Sequence, residues 1–420
     1  SQNGRASRPA PSRFAILKIQ AVSFLLFLLL ASGFDSLLHE GVAALESKRF
    51  TDARTSLEAA QKLNSDSPQL WFALTQTYSG LGENRRALEA AGKVKGLASR
   101  EPGILHQLAL FQARNGDLMG AARCEEQYAK YNPDAIRPAI LLYVKAGDAS
   151  RAVAFGEEAA GRINNAAVYA ALGQAYEASG NTAKAIPALR KSIQLDPYAE
   201  EYYFDLAQIQ LLHQDFDGAI RTLQPSQRIF AKSAQLELAL GVAYYGLRRF
   251  DDAVDSFLRV IAIDPEVEQP YTFLGRIIDH AGLRLPEIEA RFEAYSKATP
   301  KNAVSQFLYA KAINAASGDP AAAEALLRKS IAMDSRNWES HLELGIALEK
   351  RRSYEDAAKE LARSIELNSK SSTPHYRLAR VYDRLGRKQE AAAERARHAA
   401  LLAGEEAVAG KQAAGMLRVQ

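Results

Sequence analysis

One 34-residue frame recurs along the chain and leaves few architectures open. Its clearest copy is the stretch 166–197, AAVYAALGQAYEASGNTAKAIPALRKSIQLDP. The first half carries Tyr169, Leu172, Gly173 and Tyr176 at helical spacing and turns at Ser179-Gly180-Asn181. The second half carries Ala185, Ile186, Leu189 and Ile193 and closes on Asp196-Pro197. This predicts two short antiparallel helices joined by a tight turn. Gly173 and Ala185 are small, so the two backbones can approach. Gly180 can take the left-handed conformation that ends a helix, and Pro197 suits the first turn of the next one. No such pair buries its apolar stripe alone, so the units must stack. The 420 residues then grow as an array rather than around one enlarging core.

About eleven units can be placed between 34 and 403. Every unit but the eighth carries a buried-type Ala in its second half, among them Ala53, Ala87, Ala121, Ala152, Ala219, Ala253, Ala323, Ala357 and Ala391. Large residues such as Trp71, Tyr78, Leu240, Tyr244, Phe257, Leu344, Leu378 and Tyr382 fill the packing positions. The fourth unit is shortened, its first helix squeezed into about 135–145. The eighth has a longer turn, HAGLRLPE, and Ile288 where Ala is expected; the ninth is ambiguous in phase by one residue. This pattern resembles the tetratricopeptide repeat family. The resemblance implies an all-α fold, a right-handed superhelical solenoid of antiparallel helix pairs. It also implies a concave groove lined mainly by first helices, where a peptide or helix of another protein docks. The family's groove positions fall here on Phe204, Gln208, Leu211, Leu238, Val242, Tyr245, Arg276, Tyr376 and Arg380. The first five of these and Tyr245 form an expected docking surface in two adjacent units, largely apolar; burial against neighbouring helices is its alternative. Arg276 and Arg380 have Asp279 and Asp383 nearby in sequence. The family's Lys/Asn clamp for a peptide carboxylate is not expected in the first unit, where Leu38 and Val42 stand at two of its positions.

Residues 1–33 are different. They carry Arg5, Arg8, Arg13 and Lys18, no acid, and then the apolar run 21–31 followed by Ser32-Gly33. That is the layout of a secretory signal, with Ala31 and Gly33 as the small residues before a cleavage at Phe34. The alternative is an uncleaved anchor using residues 14–33. Either reading exports the array: to the periplasm, the cell surface or the medium in the first, anchored on the inner membrane in the second. Removing the four basic residues from the 53 in the chain leaves 49, equal to the 49 acidic residues. The array is therefore formally neutral, which gives no support to nucleic-acid binding. The tail 404–420 is Ala- and Gly-rich and is expected to be a capping helix or a frayed end.

Chemistry-bearing motifs are scarce. His39-Glu40 has Ala43 where a zinc helix needs its second His. Gly80-Leu81-Gly82 sits at an inter-helix turn and follows no strand, so it is no dinucleotide loop. Cys124, the single cysteine, excludes an intrachain disulfide and reads as a packing residue. His341 and His375 occupy packing positions of successive units. No catalytic residue, metal ligand or cofactor site is expected. The expectation is a non-catalytic scaffold that binds other proteins, in a bacterial envelope setting, with a carbohydrate-binding or enzymatic use of the groove as the least supported alternative.

Overall fold

The computed structural model describes residues 33–405, and every regular element among them is helical. The expected signal or anchor and the segment 406–420 lie outside the described residues. Eleven helix pairs follow one another. The first helices of the pairs are α1 (33–46), α3 (Pro68–Gly80), α5 (Gly103–Arg114), α7 (Ile136–Lys145), α9 (Ala166–Ala178), α11 (Glu200–Leu212), α13 (Ala234–Gly246), α15 (Gln269–Arg276), α17 (Ala303–Ala315), α19 (Trp338–Lys350) and α21 (Ser372–Arg384). Their partners are α2 (Phe50–Leu63), α4 (Asn84–Leu97), α6 (Leu118–Tyr128), α8 (Ala149–Arg162), α10 (Thr182–Leu195), α12 (Phe216–Ser226), α14 (Phe250–Ile263), α16 (Leu285–Ala298), α18 (Pro320–Met333), α20 (Tyr354–Leu367) and α22 (Lys388–Glu405). The chain divides into two compact units, 1–188 and 189–420.

The turn inside each pair turns on one left-handed residue. Gly82, Gly116, Gly147, Gly180, Gly282 and Gly386 fill that place in six pairs, and Lys48, Gln214, Arg248, Ser317 and Arg352 fill it in the other five. In the ninth pair Ser317, not Gly318, has the positive φ of 56°. Six positions then separate it from the buried Ala323, against five between Gly180 and Ala185. One extra turn residue is the origin of the phase ambiguity. It puts α17 in register with its neighbours when counted back from Ser317.

Small residues set the distance between paired helices. A Cβ on Gly41, Gly241 or Gly345 would lie 2.5–2.6 Å from a side-chain carbon of Leu57, Phe257 or Leu361, respectively. In the first unit three clusters form the core, around Leu57 and Leu74, around Leu105 and Leu108, and around Ile140 and Phe155. In the second unit one continuous cluster runs from Tyr203 to Val381. The fourth pair is short as expected, with a 3-10 turn at Pro133–Ala135 leading into α7. The eighth pair departs most: α15 has 8 residues and two 3-10 turns, Ile278–His280 and Gly282–Arg284, replace its end. Ile288 is fully buried there.

Among the described residues no helix is long and apolar enough to cross a membrane.

Candidate binding sites on the first helices

In the second unit, Leu211, Leu238 and Val242 lie in the core cluster, with Val242 fully buried. This corrects the expectation that they line an open apolar groove. α11 and α13 pack side by side, and residues at their shared edge are covered by the neighbouring helix. Phe204 is half-buried against the same cluster, and Gln208 is exposed. Tyr245 is half-buried, with its ring 5.4 Å from Phe273 and 6.2 Å from Phe250. Arg276 is exposed at the end of α15. Tyr376 is exposed on α21, 5.4 Å from the His398 ring, with the Arg380 guanidinium 6.0 Å from its centroid. Arg380 pairs with Glu349 of the preceding first helix at 3.0 Å, while Asp383 pairs with Arg395 at 2.7 Å. The structure therefore does not gather the nine expected groove residues into one patch.

What it gathers instead is a polar cleft of about 450 Å3. The turn after α15 contributes Ile278 and Asp279. α17 contributes Lys311 and Asn314, α19 contributes Trp338, Glu339, Leu342, Glu343, Ile346 and Lys350, and α21 contributes Thr373 and Arg377. The register explains the composition. Counted back from the left-handed turn residue, Lys311 takes the place of Val242, Asn314 that of Tyr245, and Glu343 that of the buried Ala239. Polar groups thus occupy positions that are apolar in the seventh pair, two repeats earlier for Lys311 and Asn314 and three for Glu343.

The floor of the cleft is one hydrogen-bonded chain. Asn314 Nδ2 donates to Glu343 Oε2 at 2.8 Å and to the Glu343 carbonyl at 3.1 Å. Lys350 Nζ donates to the Asn314 carbonyl at 2.6 Å. Asn314 Oδ1 is buried and has no hydrogen-bond partner among the described residues. Burial pushes the Glu343 carboxyl above the usual carboxylate range, with Lys311 and Asn314 pulling the other way. Burial also lowers the Lys350 ammonium. Lys311, Lys350 and Arg377 face Asp279, Glu339 and Glu343 in the lining, and Arg377 lies 3.9 Å from Glu349 of α19. The cleft thus combines a buried, unpartnered acceptor at Asn314 with basic side chains on three successive first helices. Sequence reasoning missed Lys311, Asn314, Glu343, Lys350 and Arg377. The ninth and twelfth positions of the family's groove would have marked Lys311 and Asn314 once the phase of α17 was fixed.

The first unit holds a second concavity, of about 620 Å3, with a different lining. Leu110, Ala113, Leu141, Leu142 and Val144 make it mostly apolar, and His106, Arg137 and Lys145 lie among them. Glu125 reaches it from α6. Its Oε1 lies 2.6 Å from His106 Nδ1, and Oε2 is buried without a partner among the described residues. Burial raises the Glu125 carboxyl above its usual value, and the bond to His106 opposes that.

The remaining candidates are structural. His341 Nδ1 lies 2.6 Å from Glu360, and His375 Nδ1 lies 2.5 Å from Glu394, each joining the two helices of one pair. Cys124 is fully buried with Sγ 3.1 Å from Gln112 Oε1, and burial pushes its thiol up to about 11. That thiol stays protonated and unreactive at neutral pH. Among the described residues no cluster of three or more His, Cys, Asp or Glu is placed to hold a metal ion.

Family models described as tetratricopeptide repeat match residues 166–209, 204–268 and 314–373. The chain carries tetratricopeptide repeats. The segments 204–268 and 314–373 hold the Gly241–Phe257 and Gly345–Leu361 contacts described above. No curated protein matches the sequence. Among solved structures, yeast Tom70 is similar at 15% identity over 91% of this chain and 96% of that one, with a TM-score of 0.37. The hetero-tetramer Cut9–Hcn1 of APC/C is similar at 12% identity over 92% and 96%, with a TM-score of 0.38. A thermophilic tetratricopeptide-repeat protein of Thermus thermophilus, TTC0263, is similar at 21% identity over 44% of this chain and 100% of that one, with a TM-score of 0.37.

Proposed function

We propose that this tetratricopeptide-repeat protein is a non-catalytic interaction scaffold whose second unit holds an extended segment of a partner protein in the cleft of α17, α19 and α21. The observation that carries the reading is the buried Asn314 Oδ1, without a partner among the described residues, beside Lys311 and Arg377. An unsatisfied buried acceptor is costly, and a partner's backbone N–H would satisfy it. The partner's carbonyl or acidic groups would meet the cations around it. We further propose that residues 1–33 carry the array across a membrane, by cleavage before Phe34 or, in the alternative, as an anchor over 14–33. The support is their four cations, their lack of acid and their apolar run.

Affinity capture from an envelope fraction tests the scaffold reading. Proteins retained by the wild type are expected to be lost from both Lys311→Glu and Asn314→Leu while the helical circular-dichroism signal is kept. Equal retention by folded variants refutes the cleft. N-terminal sequencing of the cell-derived protein tests export. A chain starting at Phe34 supports cleavage, a chain keeping 14–33 in the membrane fraction supports the anchor, and an intact chain in the soluble cytoplasm refutes both.

A further inference from the structure

We propose that Glu343 holds a proton that it donates to Asn314 Oδ1, so that the acceptor on the floor of the second-unit cleft is closed at low pH and opens when that proton leaves. What this does to partner binding rests on the proposed docking in the cleft; the proton itself does not. Asn314 Nδ2 lies 2.8 Å from Glu343 Oε2, so the amide of α17 and the carboxyl of α19 are in direct contact. The other polar atom of that amide, Oδ1, is buried and has no donor among the described residues. Asn314 and Glu343 are each 7% exposed, and at that burial an acceptor left without a donor is costly.

An ionised carboxylate offers acceptors only and leaves Oδ1 unsatisfied, whereas the acid has one O–H to give. An acid and an amide side by side exchange an N–H···O and an O–H···O bond, and the bond to Oδ1 favours the neutral form of Glu343. The charged groups around it pull both ways. Burial, the largest influence, and Asp279 after α15 favour the acid, while Lys311 of α17, the Asn314 amide and Arg377 of α21 favour the anion. On α19 itself, Glu339 lines the same cleft, and Lys350 Nζ donates to the Asn314 carbonyl and not to its side chain. As pH rises the proton passes to solvent, Oδ1 loses its donor, and Lys311 and Arg377 remain to hold the carboxylate. A partner N–H then takes the place of the proton, so docking releases a proton and strengthens as pH rises.

The test is a pH titration of the full chain by NMR with isotope-labelled glutamate and asparagine, the Glu343 and Asn314 signals being assigned by their loss in Glu343→Gln and Asn314→Leu. The Glu343 carboxyl carbon is expected to shift only after the exposed glutamates have shifted. The Asn314 side-chain carbonyl carbon, whose oxygen loses its donor in that step, is expected to shift with the same midpoint. A Glu343 carboxyl that shifts together with the exposed glutamates overturns the proposal. So does an Asn314 carbonyl that stays still while Glu343 titrates, because burial alone would delay Glu343 without moving Asn314. The titration itself is read on the wild-type chain without a partner. Its failure leaves docking in the cleft standing, and failure of the capture experiment leaves the proton on Glu343.

Discussion

A left-handed backbone costs an ordinary L-residue about 1–2 kcal/mol, and glycine escapes that cost. Arg248 sits at φ 58° between α13 and α14 in the place that Gly180 fills between α9 and α10. Arg248→Gly is therefore expected to stabilise the chain by about 0.5–1 kcal/mol after the added freedom of the unfolded chain is subtracted, read as a rise in the thermal midpoint. A fall would show that the Arg248 side chain makes a contact that outweighs its backbone strain. Glu343 shows the same scale through charge. Its carboxyl gives up its proton at about the ordinary 4.5 when unfolded and later when folded. In that window the folded state binds more protons, so stability falls as pH rises from about 4.5 toward the raised folded value. Glu343→Gln keeps an acceptor for Asn314 and removes the charge. The variant is expected to be more stable than wild type at pH 7.5 and equal to it at pH 4 in urea titrations. A constant difference across that range would place the Glu343 carboxyl at its ordinary value.

At the scale of elements, α13 and α15 show what a uniform pattern conceals. α13 carries Leu238 and Val242 on the side the family turns toward its groove, yet both are buried. The rings of Phe257 and Phe273 stack 4.9 Å apart, and the cluster closes over α13 from α14 and α15. α15 is short, and Ile288 of α16 is buried where every other pair has a placed Ala. Ile288→Ala restores the repeat's own residue but leaves a void in the core cluster that also holds Phe292 and Tyr271. It is expected to cost about 2–5 kcal/mol, the range for truncating a buried isoleucine, measured by denaturant unfolding. A cost below about 1 kcal/mol would mean that α15 and α16 close on the smaller side chain as the other pairs do.

Over the whole molecule, a repeat array couples neighbours and little else. The effect of Ile288→Ala should stay local: amide exchange is expected to quicken in α14–α17 and to be unchanged in α3–α6. Uniform quickening would show one cooperative unit instead of a chain of neighbours. The helix-pair architecture, the shortened fourth pair, the longer eighth turn and the packing role of Cys124, His341 and His375 were legible in the residue pattern. Those follow from local periodicity, turn chemistry and residue size, which repeat in every unit and need no knowledge of distant contacts. Which first-helix side chains stay accessible is set by the packing of the folded chain. That packing buried Leu211, Leu238 and Val242, and brought Lys311, Asn314, Glu343 and Arg377 from three successive first helices to one cleft. Exposure at a groove position depends on the size and spacing of residues about 34 positions away in the neighbouring repeats. A one-residue insertion such as the one at Ser317 shifts which side chain stands there.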